Sequence, residues 1–339
     1  MLNPNEKISL ADFSHKRELT ELWIEAFEDD EKFIKSFLDS YMIPEYNVPV
    51  MIADGKIASA FYLIEFELYS NMKSVGTCVY LFAAATKKEY QNRGYMSKLI
   101  GYAAELCKNR GLKAIFLFPQ SESLFSFYAR FGFESIYQAK KIKLNNICYD
   151  TKKDFKDFSR LSLKEYDITD TNIFDELYKS YVEFTAKQDL APLKDRLFYF
   201  KCASSYLDTS ENKFAIFERK NDENSENDTN RENNVEKFCY VFYKKDKNTY
   251  YIDDIIISEY IKIRTNMEKK FEETADLLAD YILSQGNGMV ETVEINVLPT
   301  SFSGSQNVKT AMILPLSDSI AGIVKNLKSP VYLNMFMNM

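Results

Sequence analysis

Histidine is almost missing from this chain: of 339 residues, His15 alone carries an imidazole. A Ser-His-Asp triad would have to use that one residue, and a histidine-rich metal centre has no ligands, so no metal is expected. His15 itself is expected on the surface, ahead of the first helix. Cysteine is sparse too. Cys78, Cys107, Cys148, Cys202 and Cys239 are odd in number and far apart. Neither a disulfide framework nor a zinc site with Cys-x-x-Cys spacing can be drawn from them, which points to a reducing compartment, the cytoplasm. Long apolar runs are lacking. The most apolar uncharged stretch, Ser74 to Thr86, has 13 residues, short of the ~20 that a spanning helix needs. The first residues, Met1 to Glu6, hold no basic head before an apolar stretch, so no secretion signal is read. An excess of positive charge is also absent: 43 Lys and Arg stand against 50 Asp and Glu, a net charge of −7. That balance disfavours nucleic acid as a partner, which asks for a cationic face.

What remains is the composition of a folded globule, 46% apolar and 15% aromatic, with length for roughly two domains. Leu19, Leu22, Trp23, Ala26 and Phe27, then Phe33, Ile34, Phe37 and Leu38, recur at helical spacing, with Asp29-Asp30 between two helices. Val48 to Ala53 reads as a strand, Asp54-Gly55 as a hairpin turn, and Ile57 to Tyr69 as a long strand. After a second turn at Ser70 to Lys73, Ser74 to Thr86 reads as a strand buried on both faces. Met96, Leu99, Ile100, Ala103, Leu106 and Cys107 share a helical stripe closed by Arg110-Gly111. A short strand (Lys113 to Phe118), an aromatic helix (Glu122 to Phe131) and a last strand to Leu144 complete a mixed α/β domain over 1–145.

Asn145 to Ser159 is polar and aperiodic, and a second domain over 150–339 repeats the pattern weakly. Helices are expected over Asn172 to Ala186 and Pro192 to Tyr206, and strands at Phe214 to Arg219, Lys237 to Lys244 and Thr249 to Ser258. A long helix over Asn266 to Ser284, a strand at Thr292 to Leu298 and a terminal strand at Tyr332 to Met339 follow. Residues 221–236, with six acids against one arginine, read as a disordered insertion.

The chemistry sits where the buried strand Ser74 to Thr86 runs through Lys87-Lys88-Glu89-Tyr90-Gln91-Asn92-Arg93-Gly94 into a helix. Unpaired N–H groups at a helix start carry partial positive charge and form an anion site, and Gly94 admits a phosphate close to the backbone. Lys87, Lys88, Arg93 and Lys98 add local positive charge. The segment resembles motif A of the GCN5-related N-acetyltransferases, Gln/Arg-x-x-Gly-x-Gly/Ala, here Gln91-x-x-Gly94-x-Met96. Ser126-Phe127-Tyr128-Ala129-Arg130-Phe131-Gly132-Phe133 resembles the family's motif B, Phe-Tyr-x-x-x-Gly-Phe. The resemblance covers about residues 6–145 and implies a site for acetyl-CoA at Ala84, Ala85, Thr86, Gln91, Asn92, Arg93, Gly94, Tyr95, Met96, Ser97 and Ser121. Two of these depart from the family: Met96 stands for a small residue, which requires its side chain to point away from the cofactor, and Ser121 stands for an asparagine. The fold class implied is α/β (α+β), two such domains in tandem. The second is degenerate, because Glu259 to Thr265 lacks a glycine. The layout looks like the acetyltransferases related to the enhanced-intracellular-survival proteins, without their third domain.

The implied reaction is acetyl transfer from acetyl-CoA to a small-molecule or peptide amine by direct attack. An alkyl amine of pKa near 10.4 must first lose its proton, which costs about 4 kcal/mol at pH 7. Glu65, Glu67, Asp29, Asp30 and the terminal carboxylate of Met339 are candidates to take it, with Glu65 preferred. Tyr128, in the motif B position, is the expected general acid for the leaving thiolate, since its phenol matches an alkyl thiol in pKa. Backbone N–H groups near Ala84 to Thr86 would meet the thioester oxygen. Cys78 and Cys107 read as packing residues. A non-catalytic acyl-CoA sensor with the same fold is the main alternative, and an acyltransferase fed by charged tRNA a third.

Overall fold

The computed structural model describes residues 3–145, 158–220, 235–258, 267–285, 290, 292–297, 306–327 and 331. Most of the expected insertion, the segment Glu259 to Thr265 and the terminal strand with Met339 lie outside them. So does most of the polar stretch that starts at Asn145. The described chain forms two compact units: Met1–Leu68, Ser74–Ile136 and Ala311–Leu327 make the first, and Tyr69–Lys73, Tyr137–Thr310 and Lys328–Met339 the second.

In the first unit β1 (Glu6–Leu10) precedes α1 (Lys16–Phe27) and α2 (Glu31–Tyr41). β1 pairs antiparallel with β2 (Pro49–Ala53), and β2 with β3 (Lys56–Ser70). Then come β4 (Lys73–Thr86), α3 (Tyr95–Asn109), β5 (Ala114–Leu117) and α4 (Glu122–Ala129), after which β6 (Glu134–Asn145) runs from the first unit into the second at Tyr137. Asp29 and Asp30 do separate two helices. The Asp30 side chain caps α2 at the N–H groups of Lys32 and Phe33, and Asp29 accepts from the Trp23 indole at 2.8 Å. The strand β1 was not legible in the sequence, and neither was the short 3-10 turn Phe13–His15 that leads into α1. His15 is half-buried there, with its Nδ1 2.9 Å from the Asp12 carboxylate.

The second unit continues with β7 (Leu161–Glu165), α5 (Thr171–Ala186), β8 (Ala191–Leu193), α6 (Arg196–Leu207), β9 (Asn212–Lys220), β10 (Val235–Asp246) and β11 (Thr249–Ile257). It ends with α7 (Met267–Gln285) and β12 (Thr292–Val297), before β13 (Gln306–Pro315) and α8 (Asp318–Asn326). The expected helices and meander are present. β7, β8, β13 and α8 are additions.

The first unit's sheet runs β1-β2-β3-β4-β5-β13 and the second unit's β6-β12-β11-β10-β9-β7. The strand expected to close the first half, β6, instead pairs antiparallel with β12, Val293 beside Leu144. The edge of β5 is taken by β13, Met312 beside Leu117. Both are ordinary antiparallel ladders, and nothing in local periodicity distinguishes one apolar partner strand from another.

The first sheet is covered on both faces. On one, Trp23 of α1 meets Phe37 of α2 at 5.0 Å between ring centroids, Tyr62 of β3 at 5.1 Å and Phe82 of β4 at 5.5 Å. On the other, Leu99, Ile100, Ala103 and Cys107 of α3 and Phe125 and Tyr128 of α4 pack with Phe61, Leu63, Val79, Leu81 and Ile115. Burial of this apolar area supplies the main drive for folding. Cys78, Cys107, Cys202 and Cys239 are buried and free, and burial pushes the Cys107 thiol up to about 12.

Candidate active site

β4 and β5 are parallel neighbours only from Cys78↔Ala114 to Tyr80↔Phe116. Beyond that, β4 carries a kink. Val79 and Leu81 face α3, yet the next residue to do so is Ala84, so the alternation slips at Ala83, which sits in the left-handed region at φ 50°. Such a slip turns the following backbone out of the ladder. The end of β4 is then held from β3. The buried Ser59 hydroxyl donates to the Ala85 carbonyl at 2.9 Å and lies 2.7 Å from the Thr86 hydroxyl.

The loop after β4 is built from left-handed steps. Asn92 has φ 62° and Gly94 φ 74°. Alternating hands of this kind turn successive N–H groups to one side, a concavity suited to anions. Gly94 is the N-cap of α3 and offers no side chain to its first turn. A Cβ at Gly94 would meet nothing within 4 Å, so here the glycine serves the backbone angle and leaves the helix end open. Gln91 ties the loop back, its amide donating to the Thr86 carbonyl at 3.2 Å.

A cavity of about 590 Å³ opens between this loop and α4. Of the residues expected to hold acetyl-CoA, Ala84, Thr86, Gln91, Asn92, Gly94, Tyr95, Met96 and Ser97 line it, and so does Tyr128. Met96 borders the cavity, is half-buried and packs against the core beneath α3. Tyr128 is 7% exposed, and burial pushes its phenol up to about 12.

The others are elsewhere. Ala85 is buried beside the cavity rather than on it. Arg93 lies on the outside, its guanidinium 5.1 Å from the centre of the Tyr90 ring and donating to the Glu89 carbonyl at 3.1 Å. Ser121 is the N-cap of α4, accepting from the Leu124 N–H. Glu65 is exposed and accepts from the Tyr46 hydroxyl at 2.7 Å; Tyr46 in turn stacks with Arg110, at the far end of α3. Glu65 lies seven steps along β3 from Ala58, whose carbonyl accepts from the Lys87 N–H. At about 3.3 Å per residue that is roughly 23 Å. The preferred base is not at the cavity.

Two features escaped sequence reading. Leu124, Phe127 and Arg130 form the α4 wall of the cavity. All belong to or flank the segment that resembles motif B, but their spacing alone did not show which of them face it. The second is Glu6 of β1, whose carboxylate accepts from the Tyr95 hydroxyl at 2.9 Å and from Lys98 at 3.2 Å. The Asn3 backbone N–H is the strongest of the influences that hold this carboxyl at about 2, with Tyr95 and Lys98 adding to it. The positive charge expected from Lys98 is therefore paired. Among the described residues no group of three His, Cys, Asp or Glu could hold a metal ion, and no helix is long and apolar enough to cross a membrane.

Residues 7–136 match the family model described as acetyltransferase (GNAT) domain. Over those residues the chain is similar to a GNAT acetyltransferase domain. Solved structures extend the likeness of fold beyond that domain. A probable N-acyltransferase of Enterococcus faecalis V583 is 12% identical, with a TM-score of 0.66 over 92% of this chain and 73% of that one. A GCN5-related N-acetyltransferase of Anabaena variabilis is also 12% identical, with a TM-score of 0.65 over 93% and 74%. Eis1 of Mycobacterium abscessus is 11% identical, with a TM-score of 0.63 over 92% and 74%. Coverage of this extent takes in both units, so the α/β fold is that of two GNAT-like domains in tandem. No curated protein matches the sequence.

Proposed function

We propose that the chain is an acetyl-CoA-dependent N-acetyltransferase acting on a primary amine of a small molecule or peptide, in a reducing compartment such as the cytoplasm. The observation that carries this reading is the position of Tyr128. Its buried phenol borders the same cavity as the open N-terminus of α3 and the end of β4.

In this reading the pyrophosphate of acetyl-CoA rests on the N–H groups that follow Gly94, and the thioester lies along β4 beyond the kink at Ala83. The N–H groups of Ala84 to Thr86 meet the thioester oxygen as charge develops on it. The amine nitrogen attacks the carbonyl carbon, the C–S bond breaks, and Tyr128 gives its proton to the departing thiolate. A phenol raised by burial stays protonated across the working range and is ready to donate. Among the described residues the cavity lining contains no carboxylate, and in this reading water takes the amine's proton.

The test is release of free thiol from acetyl-CoA against a panel of diamines, aminoglycosides and peptide N-termini, with Tyr128→Phe in parallel. Turnover with at least one amine that collapses in the variant supports the assignment. Tight acetyl-CoA binding with no turnover on any amine would favour the sensor reading, to which Met96 in place of a small residue lends weight.

A further inference from the structure

Coenzyme A carries two separate anionic centres, the pyrophosphate and the ribose 3′-phosphate. A helix terminus offers about half a positive charge. That suits one phosphate group, whereas a terminal phosphate monoester, close to a dianion at pH 7, asks for a full cation with several donors. The sequence provides four cations around the loop, but none of Lys87, Lys88, Arg93 and Lys98 lines the cavity, and Lys98 is paired with Glu6.

The cationic lining residue is Arg130, immediately after α4, on the wall across from Gly94. Its side chain is exposed. The guanidinium carbon sits 4.9 Å from the centre of the Phe127 ring, and Nε makes a long contact of 3.4 Å to the Phe127 carbonyl. That leaves the two terminal nitrogens of the fork for a bidentate phosphate contact. Leu124 and Phe127 beside it offer an apolar surface for a purine base.

Resting on the acetyl-CoA reading above, we propose that Arg130 is a specificity-determining residue that grips the 3′-phosphate and makes this cavity select coenzyme A over its 3′-dephospho form. The α3 terminus binds what the two ligands share, and Arg130 binds what distinguishes them.

The test is calorimetric titration of the full chain with coenzyme A and with 3′-dephospho-coenzyme A, for the wild type, Arg130→Ala and Arg130→Lys, with folding checked by thermal melting. A hydrogen-bonded charge pair of this kind corresponds to about tenfold in affinity or more. The wild type is expected to prefer coenzyme A by at least that factor. Arg130→Ala should bring both ligands to the wild-type affinity for the dephospho form, and Arg130→Lys should keep part of the preference. A wild type without preference, or a preference that survives Arg130→Ala, overturns the assignment while leaving the acetyl-CoA reading in place. Equal weakening of both ligands by Arg130→Ala overturns it too. Failure of the wild type to bind either ligand overturns the assignment and the reading beneath it together.

Discussion

Ser59 and Thr86 are joined hydroxyl to hydroxyl at 2.7 Å, which ties the middle of the first sheet to the last residue of β4. Ser59 is fully buried and touches no ligand cavity itself, whereas Thr86 lines it. Ser59 is thus a positioning residue. Ser59→Ala removes the donor to the Ala85 carbonyl and lets the strand end move. We expect acetyl-CoA affinity to fall by about two- to tenfold, the range of one net hydrogen bond, with kcat changed less than KM. Ser59→Thr keeps the hydroxyl and should restore much of the loss.

Tyr128→Phe removes the proposed acid and little else, because the ring stays to pack on Phe133, 5.7 Å away between centroids. The expected result is a fall in kcat of about 10² to 10⁴, with acetyl-CoA affinity nearly unchanged. With the wild-type phenol held up at about 12, its deprotonation should impose no alkaline fall in kcat below about pH 10. A downturn near pH 8 that Tyr128→Phe abolishes would contradict the raised phenol, and an unchanged kcat in Tyr128→Phe would contradict the acid role.

Glu6 makes a stability prediction with a definite sign. Its carboxyl is lowered from 4.5 to about 2 in the folded chain. The stability it contributes is present above pH 4.5 and is lost as pH falls toward 2. Urea unfolding of the wild type against Glu6→Gln should show an advantage at pH 6 that shrinks steadily below pH 4.5. A constant gap down to pH 2.5 would mean the carboxylate is not engaged with Asn3, Tyr95 and Lys98 as described.

The second unit has its own buried charge. Lys194, fully buried, lies 5.6 Å and 5.7 Å from the ring centres of Tyr181 and Tyr199, and those rings stack 4.2 Å apart. Burial outweighs the opposing influence of Cys202 and Asp254 and lowers the ammonium from 10.5 to about 8. Between pH 8 and 10.5 the unfolded chain binds the proton that the folded chain has released, so stability rises with pH there. The wild type should therefore gain stability relative to Lys194→Met across that window, as read by denaturant midpoints. A parallel pair of curves would refute it.

Much of this was legible in the sequence because local rules carried it. The paired helices around Asp29-Asp30, the hairpin at Asp54-Gly55 and the start of α3 at Gly94 each follow from spacing, turn chemistry or a cap. What escaped depended on long-range pairing. β1 is five residues with no burial alternation, and the pairing of Met312 with Leu117 joins segments far apart in the chain. At the cavity, the residues on the loop were read from the motif. Arg130 was not, because only the packing of α4 decides which of its neighbours turn inward. Glu65 failed for the same reason in reverse: alternation puts it on a face but cannot say which end of the sheet holds the site.

The most direct test of the account is a calorimetric titration of the full chain with acetyl-CoA beside Gly94→Trp. The account predicts one site per chain in the wild type and none in the variant, since Gly94 holds a left-handed φ of 74° at the open end of α3. Binding that survives Gly94→Trp, or two sites per chain, would contradict it.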